Sequence, residues 1–478
     1  MTYKALLLRG SGIVLCLTLA SGVSPLFSKS DGPPAAKKLS LKPASISRLI
    51  QSAYTPDYLI HDDRSIVIDD VKIAFQTTKT GCDIVIPDTE ADDGKGGTTT
   101  IPGKRHSVSA SRGATVKFKI KGRDIAFAVY PDRLDRLHYF PANAVQATLG
   151  KTPVTFVDAN FNGVYFDEGI DHVIVGKAGQ YAFPFYKTIA MPDFIYVFEV
   201  GDKDVTVTPQ EYTTKDLARE VQMTLNKVRI DFGLVPVVSD PEWDVHCHNH
   251  SEYMRLNTRR THDEQPGLEG YTAKGHEAGV ASNLSFKKEA GDAVYDLWDT
   301  PLHGYRMRAS WYAKGAFGAV PGYTTIMVRS LEQPATPMLK PYVFPPNNSV
   351  NIPVDWRDED PDPRVKNDAG NGYPITYYVI GWDHGDIPES MSVTLEAQAK
   401  KTWTNVDVQV TYSAATGPSN VFSGMLVPIY VLPINALNPN TLYRLTAKFK
   451  LKGKEYNEVS CFTTGTGKGQ QVWDTTQQ

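Results

Sequence analysis

Histidine is concentrated in one stretch of this chain. Six of its 11 histidines fall between residues 246 and 303: His246, His248, His250, His262, His276 and His303. An imidazole near neutrality can take a proton, give one, or ligate a metal, so this stretch is the first candidate for chemistry. On a helix His246 and His250 share a face while His248 points elsewhere, so the string is not three convergent ligands. His250 reads as a half-buried helix residue satisfied by a hydrogen bond. His262 and His303 sit in Gly/Pro-punctuated segments, Thr261–Gly267 and Thr300–Arg306. Loops held by rigid elements are where site residues concentrate.

A second constellation is acidic. Asp158, Asn160 and Asn162, followed by Gly163, put oxygen side chains at alternate positions ahead of a sharp turn, the opening of a Ca²⁺ loop. Position 12 is Gly169 rather than a bidentate glutamate, so Asp167 and Asp171 are the residues that complete the shell. The competing reading is an Asx-rich turn with solvated carboxylates. Calcium is favoured, because an exported protein meets Ca²⁺ at concentrations that fill weak sites, and its role would be to staple a hairpin. A third acidic run, Asp355, Asp358, Glu359, Asp360 and Asp362, lies among prolines and reads as a solvated loop, with a second Ca²⁺ site as the alternative.

The elements that must position these residues fall into three blocks, as about 150 residues per domain leads one to expect of 478 residues. Lys4 and Arg9 precede the apolar run Ile13–Ala20, and Ser21 and Gly22 follow it, so residues 1–28 read as a secretory signal peptide. No segment of the mature chain reaches transmembrane length. Residues 29–40 read as a linker. From 41 to 210 the segments are short and β-rich, with Val/Ile/Phe alternation in Ser65–Phe75 and Thr115–Tyr130 and a strand at Phe194–Val200.

At Thr213 the period changes. Leu217, Val221, Leu225, Val228 and Phe232 recur at helical spacing, with Thr213 and Asp216 as a capping pair and Gly233 at the exit. Asp240-Pro241 opens a second helix, and Lys288–Trp298 reads as a third. Beyond the Pro-rich stretch 333–346, the strand-like runs of residues 340–466 end in a closing hairpin, and 467–478 reads as a flexible tail.

Fifty Lys and Arg against 53 Asp and Glu leave a formal charge of −3, so an electrostatically driven nucleic-acid binder is excluded. Without Cys16 three cysteines remain, Cys82, Cys247 and Cys461, too few and too far apart for a disulfide framework. There is no nucleophile elbow, phosphate loop or zinc-protease helix.

Residues 213–332 resemble the bacterial form of the CAP superfamily, the cysteine-rich secretory, antigen 5 and pathogenesis-related group. The resemblance rests on Leu225-Asn226, Arg229 and Gly233–Val237, on His250–Met254, on Thr261-His262 through Gly270–Thr272, and on Leu297–Arg306 with the strand Ala316–Val320. The C-terminal block loosely resembles a fibronectin type III module. The resemblance implies a central α-β-α sandwich, so with the β-rich first block and the strand-like last one the chain reads as α+β multidomain: an N-terminal β-domain, the central sandwich and a C-terminal β-sandwich. It further implies a cleft with two histidines, His262 and His303, and two acids. Glu277 is one candidate acid, because Gly275-His276-Glu277-Ala278-Gly279 stands where the family has a glycine-glutamate box; the other is Glu264 or Glu269. Such a cleft could hold Zn²⁺ through His262 and His303, act by acid-base catalysis as a hydrolase, or bind a small molecule, lipid, glycan or protein. The altered glutamate box favours secreted or envelope-associated binding over catalysis. A purely structural surface role is the third class.

Overall fold

The structure, a computed structural model, describes residues 33–54, 59–60, 64–92, 98–177, 179–202, 204–327, 341–356, 359–360, 362–363, 371–379, 388–412 and 428–467. The expected signal peptide, residues 29–32 of the linker, Asp358 and the tail from 468 lie outside these residues.

Where side chains alternate, strands form. In Val71–Thr78, Val71, Ile73 and Phe75 are buried while Lys72 and Gln76 face out. This strand lies in an antiparallel sheet with Ser65–Ile68, Gly81–Ile86 and Lys104–Ser109. A three-stranded sheet, Ala114–Ile120, Arg123–Pro131 and Leu137–Pro141, shares its core through Phe75, Phe127 and Tyr139. Next comes a six-stranded sheet that includes Ala144–Leu149, Thr152–Val157, His172–Val175 and Tyr181–Pro184. Lys37–Lys38, inside the expected linker, pairs with Val205–Gln210.

Five helices occur among the described residues. Helix α1 (Asp216–Asp231) buries Val221, Leu225 and Val228 as the spacing predicts. Its N-cap is Lys215, without a side-chain cap bond, and Thr213 instead hydrogen-bonds Ser239 at 2.8 Å, so the expected capping pair does not form. The helix ends at Gly233, whose φ of 67° suits glycine and where a Cβ would lie 2.4 Å from Tyr181 Cβ. Helix α2 (Pro241–Leu256) starts as expected, with the Asp240 carboxylate accepting from Glu242 and Trp243 N–H. Helix α3 (Ala273–Val280) falls where no element was expected and α5 (Pro301–Met307) where a loop was, and α4 is Asp292–Trp298. Helices α1 and α2 lie against the strand Lys314–Val320, in a sheet ordered Val238–Ser239, Lys314–Val320, Tyr323–Met327, Ser282–Ser285.

The α+β architecture with a central α-β-α sandwich is not what the chain builds. Strand accounts for 46% and helix for 15% of a structure made of many small sheets. The physical reason is helix length. At 1.5 Å per residue, helices of seven or eight residues span only about 10–12 Å, too little to cover a sheet. Only a small core, Cys247, Ala278, Ala316 and Met327, belongs to the block alone. One buried cluster contains Tyr54 and Phe156, then Leu225 and Trp298, then Tyr378 and Phe449.

In the C-terminal block one sheet holds Tyr342–Phe344, Ile375–Tyr378, Pro428–Pro433 and Val408–Tyr412. The other runs from Ser349–Ile352 through Lys454–Thr464, Leu442–Leu451 and Ser390–Ala399 to Thr402–Val406. Tyr377 and Phe449 meet edge to face between them, ring centroids 5.6 Å apart. Cys82, Cys247 and Cys461 are buried free thiols, and burial pushes Cys82 and Cys461 up to about 11, which leaves them unreactive. No helix among the described residues is long and apolar enough to cross a membrane.

Candidate functional site

The polar centre of the histidine region is a buried pair. His250 on α2 and Glu264 in the following loop have side chains with no exposed surface, and Nδ1 lies 3.0 Å from Oε1. His250 Nε2 faces the Thr261 carbonyl at 3.0 Å and so carries a hydrogen, which turns Nδ1 toward the carboxylate. Burial holds the His250 imidazole below its ordinary pKa, against the opposing pull of Glu264. Glu264 Oε2 accepts from Thr272 N–H at 2.9 Å, and Thr272 caps α3 by accepting from Gly275 N–H. His276 Nδ1 accepts the Glu264 N–H at 3.1 Å, which fixes its tautomer. Glu264, a candidate catalytic acid by resemblance, therefore ties α2, the loop and α3 together.

The glycines of Gly275-His276-Glu277-Ala278-Gly279 make this packing possible. A Cβ on Gly275 would lie 2.6 Å from Glu264 Oε1, and one on Gly279 would lie 2.3–2.6 Å from three atoms of the His250 ring. Alanine normally improves a helix by about 1 kcal/mol over glycine. Here the clash reverses the sign: Gly279→Ala is expected to destabilise by about 2 kcal/mol in urea titration. A neutral or stabilising result would mean that α3 does not sit this closely on the pair.

His262 is exposed, and its Nδ1 donates to the Gly279 carbonyl at 2.8 Å. His303, on α5, is partly buried. Its Nδ1 lies 2.6 Å from Glu359, whose carboxylate also accepts from Leu302 and His303 N–H at the helix start. Glu359 is 2% exposed at its side chain, so it is no solvated loop residue. The His303 carbonyl accepts from Asn283 at 2.7 Å. Both histidines are thus tethered to one strip, at residues 279 and 283, which a chain can separate by no more than about 14 Å. With each Nδ1 engaged, neither Nε2 has a hydrogen-bond partner among the described residues. Two fixed imidazole acceptors can receive hydrogen bonds from a ligand, or one could take a proton.

Glu277 is exposed and pairs with Lys274 at 2.8 Å, and the Glu269 carbonyl accepts from Asn257. Among the described residues no group of three or more His, Cys, Asp or Glu side chains stands ready to hold a metal ion. For zinc the chain offers two imidazoles, while Glu264, Glu277 and Glu359 are bonded to other groups, so the residues present do not fit a four-ligand site.

The acidic loop is closed on itself. Asp158 and Asp171 have no exposed surface. Asp158 accepts from Asn162 and Gly163 N–H at 3.1 and 2.8 Å; Asp171 accepts from Ala159 and Asp167 N–H at 2.9 and 2.8 Å. Asp167 takes the side-chain amides of Asn160 and Asn162 at 3.1 and 2.6 Å. Burial, then the charges of Asp158 and Asp167, pushes the Asp171 carboxyl up to about 7; burial also raises Asp158. A cation at this loop would relieve that charge burial, but both buried carboxylates already accept from the loop's own N–H groups and the loop presents no ready metal-binding group.

No protein-family profile matches the chain, and no curated protein matches it. Among solved structures, an extracellular protein containing an SCP domain from Bacillus anthracis str. Ames overlaps 55% of this chain and 87% of its own. The identity is 9% and the TM-score 0.20, a likeness too slight to bear on fold or function.

Proposed function

We propose that this is an exported binding protein that takes its ligand at the surface carrying His262 and His303, with three parts at 41–210, 213–332 and 340–466 joined by one buried cluster that draws on all of them. The observation behind this reading is the anchoring of both Nδ1 atoms, which leaves two oriented Nε2 acceptors while Glu264 and Glu277 are bonded to other groups. Such a surface suits a ligand rich in O–H or N–H donors. The test is binding of the purified protein to glycan, lipid and peptide arrays beside the His262→Ala/His303→Ala variant. Loss of binding by at least about tenfold with an unchanged melting temperature supports the reading; undiminished binding removes the ligand from these residues.

One observation favours the hydrolase alternative. Buried Glu359 behind His303 resembles the carboxylate–imidazole arrangement of a general base. Turnover of a peptide or cell-wall substrate that falls at least about a hundredfold in Glu359→Gln would put catalysis first. We further assign the acidic loop a Ca²⁺ ion that staples the Thr152–Val157 and His172–Val175 hairpin, a role supported by its buried, mutually repelling carboxylates.

A further inference from the structure

The two histidines of the proposed surface are mounted on different parts of the molecule. His262 is anchored inside the middle block, where its Nδ1 donates to the Gly279 carbonyl at 2.8 Å. His303 rides on α5, and α5 is held from the C-terminal block at several points. Thr300, the N-cap of α5, makes no cap bond; its hydroxyl donates instead to the Leu297 carbonyl at 2.8 Å. The N–H groups of Leu302 and His303 are left for another acceptor, which is the Glu359 carboxylate, at 2.8 and 3.1 Å. Further along, Tyr378 OH donates to the Tyr305 carbonyl at 2.6 Å and Arg308 donates to Thr376 Oγ1 at 3.1 Å. Tyr373 OH donates to Asp299, just ahead of the helix, at 2.9 Å. On its other side α5 is tied to the middle block through Asn283 and the His303 carbonyl, at 2.7 Å.

Glu359 grips both the backbone and the ring of His303. Its Oε2 accepts the His303 N–H and, at 2.6 Å, the Nδ1 hydrogen of the same residue. The Glu359 side chain is 2% exposed and the imidazole 18%, so water competes poorly for the carboxylate while the ring keeps an open edge. His303 Nε2 has no hydrogen-bond partner among the described residues and, unlike Nε2 of His106 and His172, is not sealed in the interior. An imidazole left to itself favours the hydrogen on Nε2; a carboxylate at Nδ1 reverses that choice. We infer that Glu359 is a positioning residue that holds His303 in the Nδ1–H form, aims its Nε2 lone pair outward, and makes the C-terminal block part of the histidine site. The inference rests on the proposed ligand surface only for the use to which that lone pair is put.

The test uses the full chain carrying isotopically labelled histidine, with tautomers read from two-bond proton–nitrogen correlation spectra. Signals are assigned by their loss in His262→Ala and His303→Ala. A second readout is the rate at which diethyl pyrocarbonate acylates each histidine, followed by peptide mass spectrometry, since only a nitrogen with a free lone pair reacts. Glu359→Ala removes the acceptor. Glu359→Gln keeps the shape and turns one oxygen into a donor, so it cannot serve all three N–H groups and carries the test if the alanine variant folds poorly. In the native protein His303 is expected in the Nδ1–H form. In the variants its Nε2 gains the hydrogen and its acylation slows about tenfold, while His262 keeps its tautomer and reacts within about twofold of its native rate. An unchanged His303 tautomer in the folded variants would overturn the inference, because another group then orients the ring. A parallel change at His262 would overturn it as well, since Glu359 would then support the whole block rather than one histidine. Neither readout needs a ligand. Failure to find one on the arrays removes the proposed function and leaves this result standing, and the reverse outcome leaves a ligand surface in which His303 is oriented by other means.

Discussion

Arg229→Ala is expected to cost about 4 kcal/mol of folding stability, the largest loss from any single substitution considered for this protein. Arg229 lies on α1 with no exposed surface. Its guanidinium donates to the carbonyls of Val235 (2.8 Å), Met307, Ala309 (3.2 Å) and Tyr312, and stacks 5.3 Å from the Tyr312 ring. Four carbonyls from two separate segments would lose their donor at once, inside a dry core. Each unsatisfied buried acceptor costs on the order of 1 kcal/mol, and the emptied volume adds a cavity cost. Asn226 and Gln222 on the same face bind the Val237 backbone, so the helix side that faces 234–237 and 307–312 is polar and fully paired. Arg229→Lys recovers only part of the loss, because an ammonium cannot reach the same fork of acceptors. Equilibrium unfolding in guanidinium chloride reads the difference. A loss below about 1 kcal/mol for the alanine variant would mean that these carbonyls are satisfied in another way.

Calcium is expected to change the pH dependence of stability. In cation-free protein the Asp171 carboxyl sits at about 7, well above its unfolded value of about 3.9. The folded state therefore holds this proton more tightly than the unfolded state does. Its contribution is complete below about pH 4 and is lost as pH rises through about 7, on the order of 4 kcal/mol in all. Ca²⁺ binds the charged form, so the ion should restore stability at pH 7.5 and have little effect at pH 4.5. Asp167→Asn, which removes one charge from a partly exposed position, should shrink the calcium increment without a comparable loss in chelator. Melting curves at the two pH values, with Ca²⁺ and with chelator, decide the matter. An equal melting temperature with and without Ca²⁺ at pH 7.5 would sink the assignment.

Helix α1, the start of α2 and the alternation in Val71–Thr78 were legible because each is written in neighbouring residues: a repeat of 3.6, an Asp-Pro cap, a repeat of two. Helices α3 and α5 were not legible, since eight and seven residues are too few to display a period. The histidine cluster and the acidic loop could be found by type and spacing, but their inner arrangement could not. Glu264 stood among several candidate acids and Glu359 in an acidic run read as solvated. Only folding buries the first against His250, 14 residues away, and the second against His303, 56 residues away.

By itself, then, the sequence determined which segments become strands and the two long helices, and which residues could do chemistry. Local periodicity and side-chain type are properties of short stretches. Tertiary structure decided which of those residues are exposed, which carboxylates are spent on helix starts and buried pairs, and that one buried cluster draws on all three blocks. Those outcomes depend on contacts between segments from 14 to several hundred residues apart, where burial sets the cost of every unpaired polar atom.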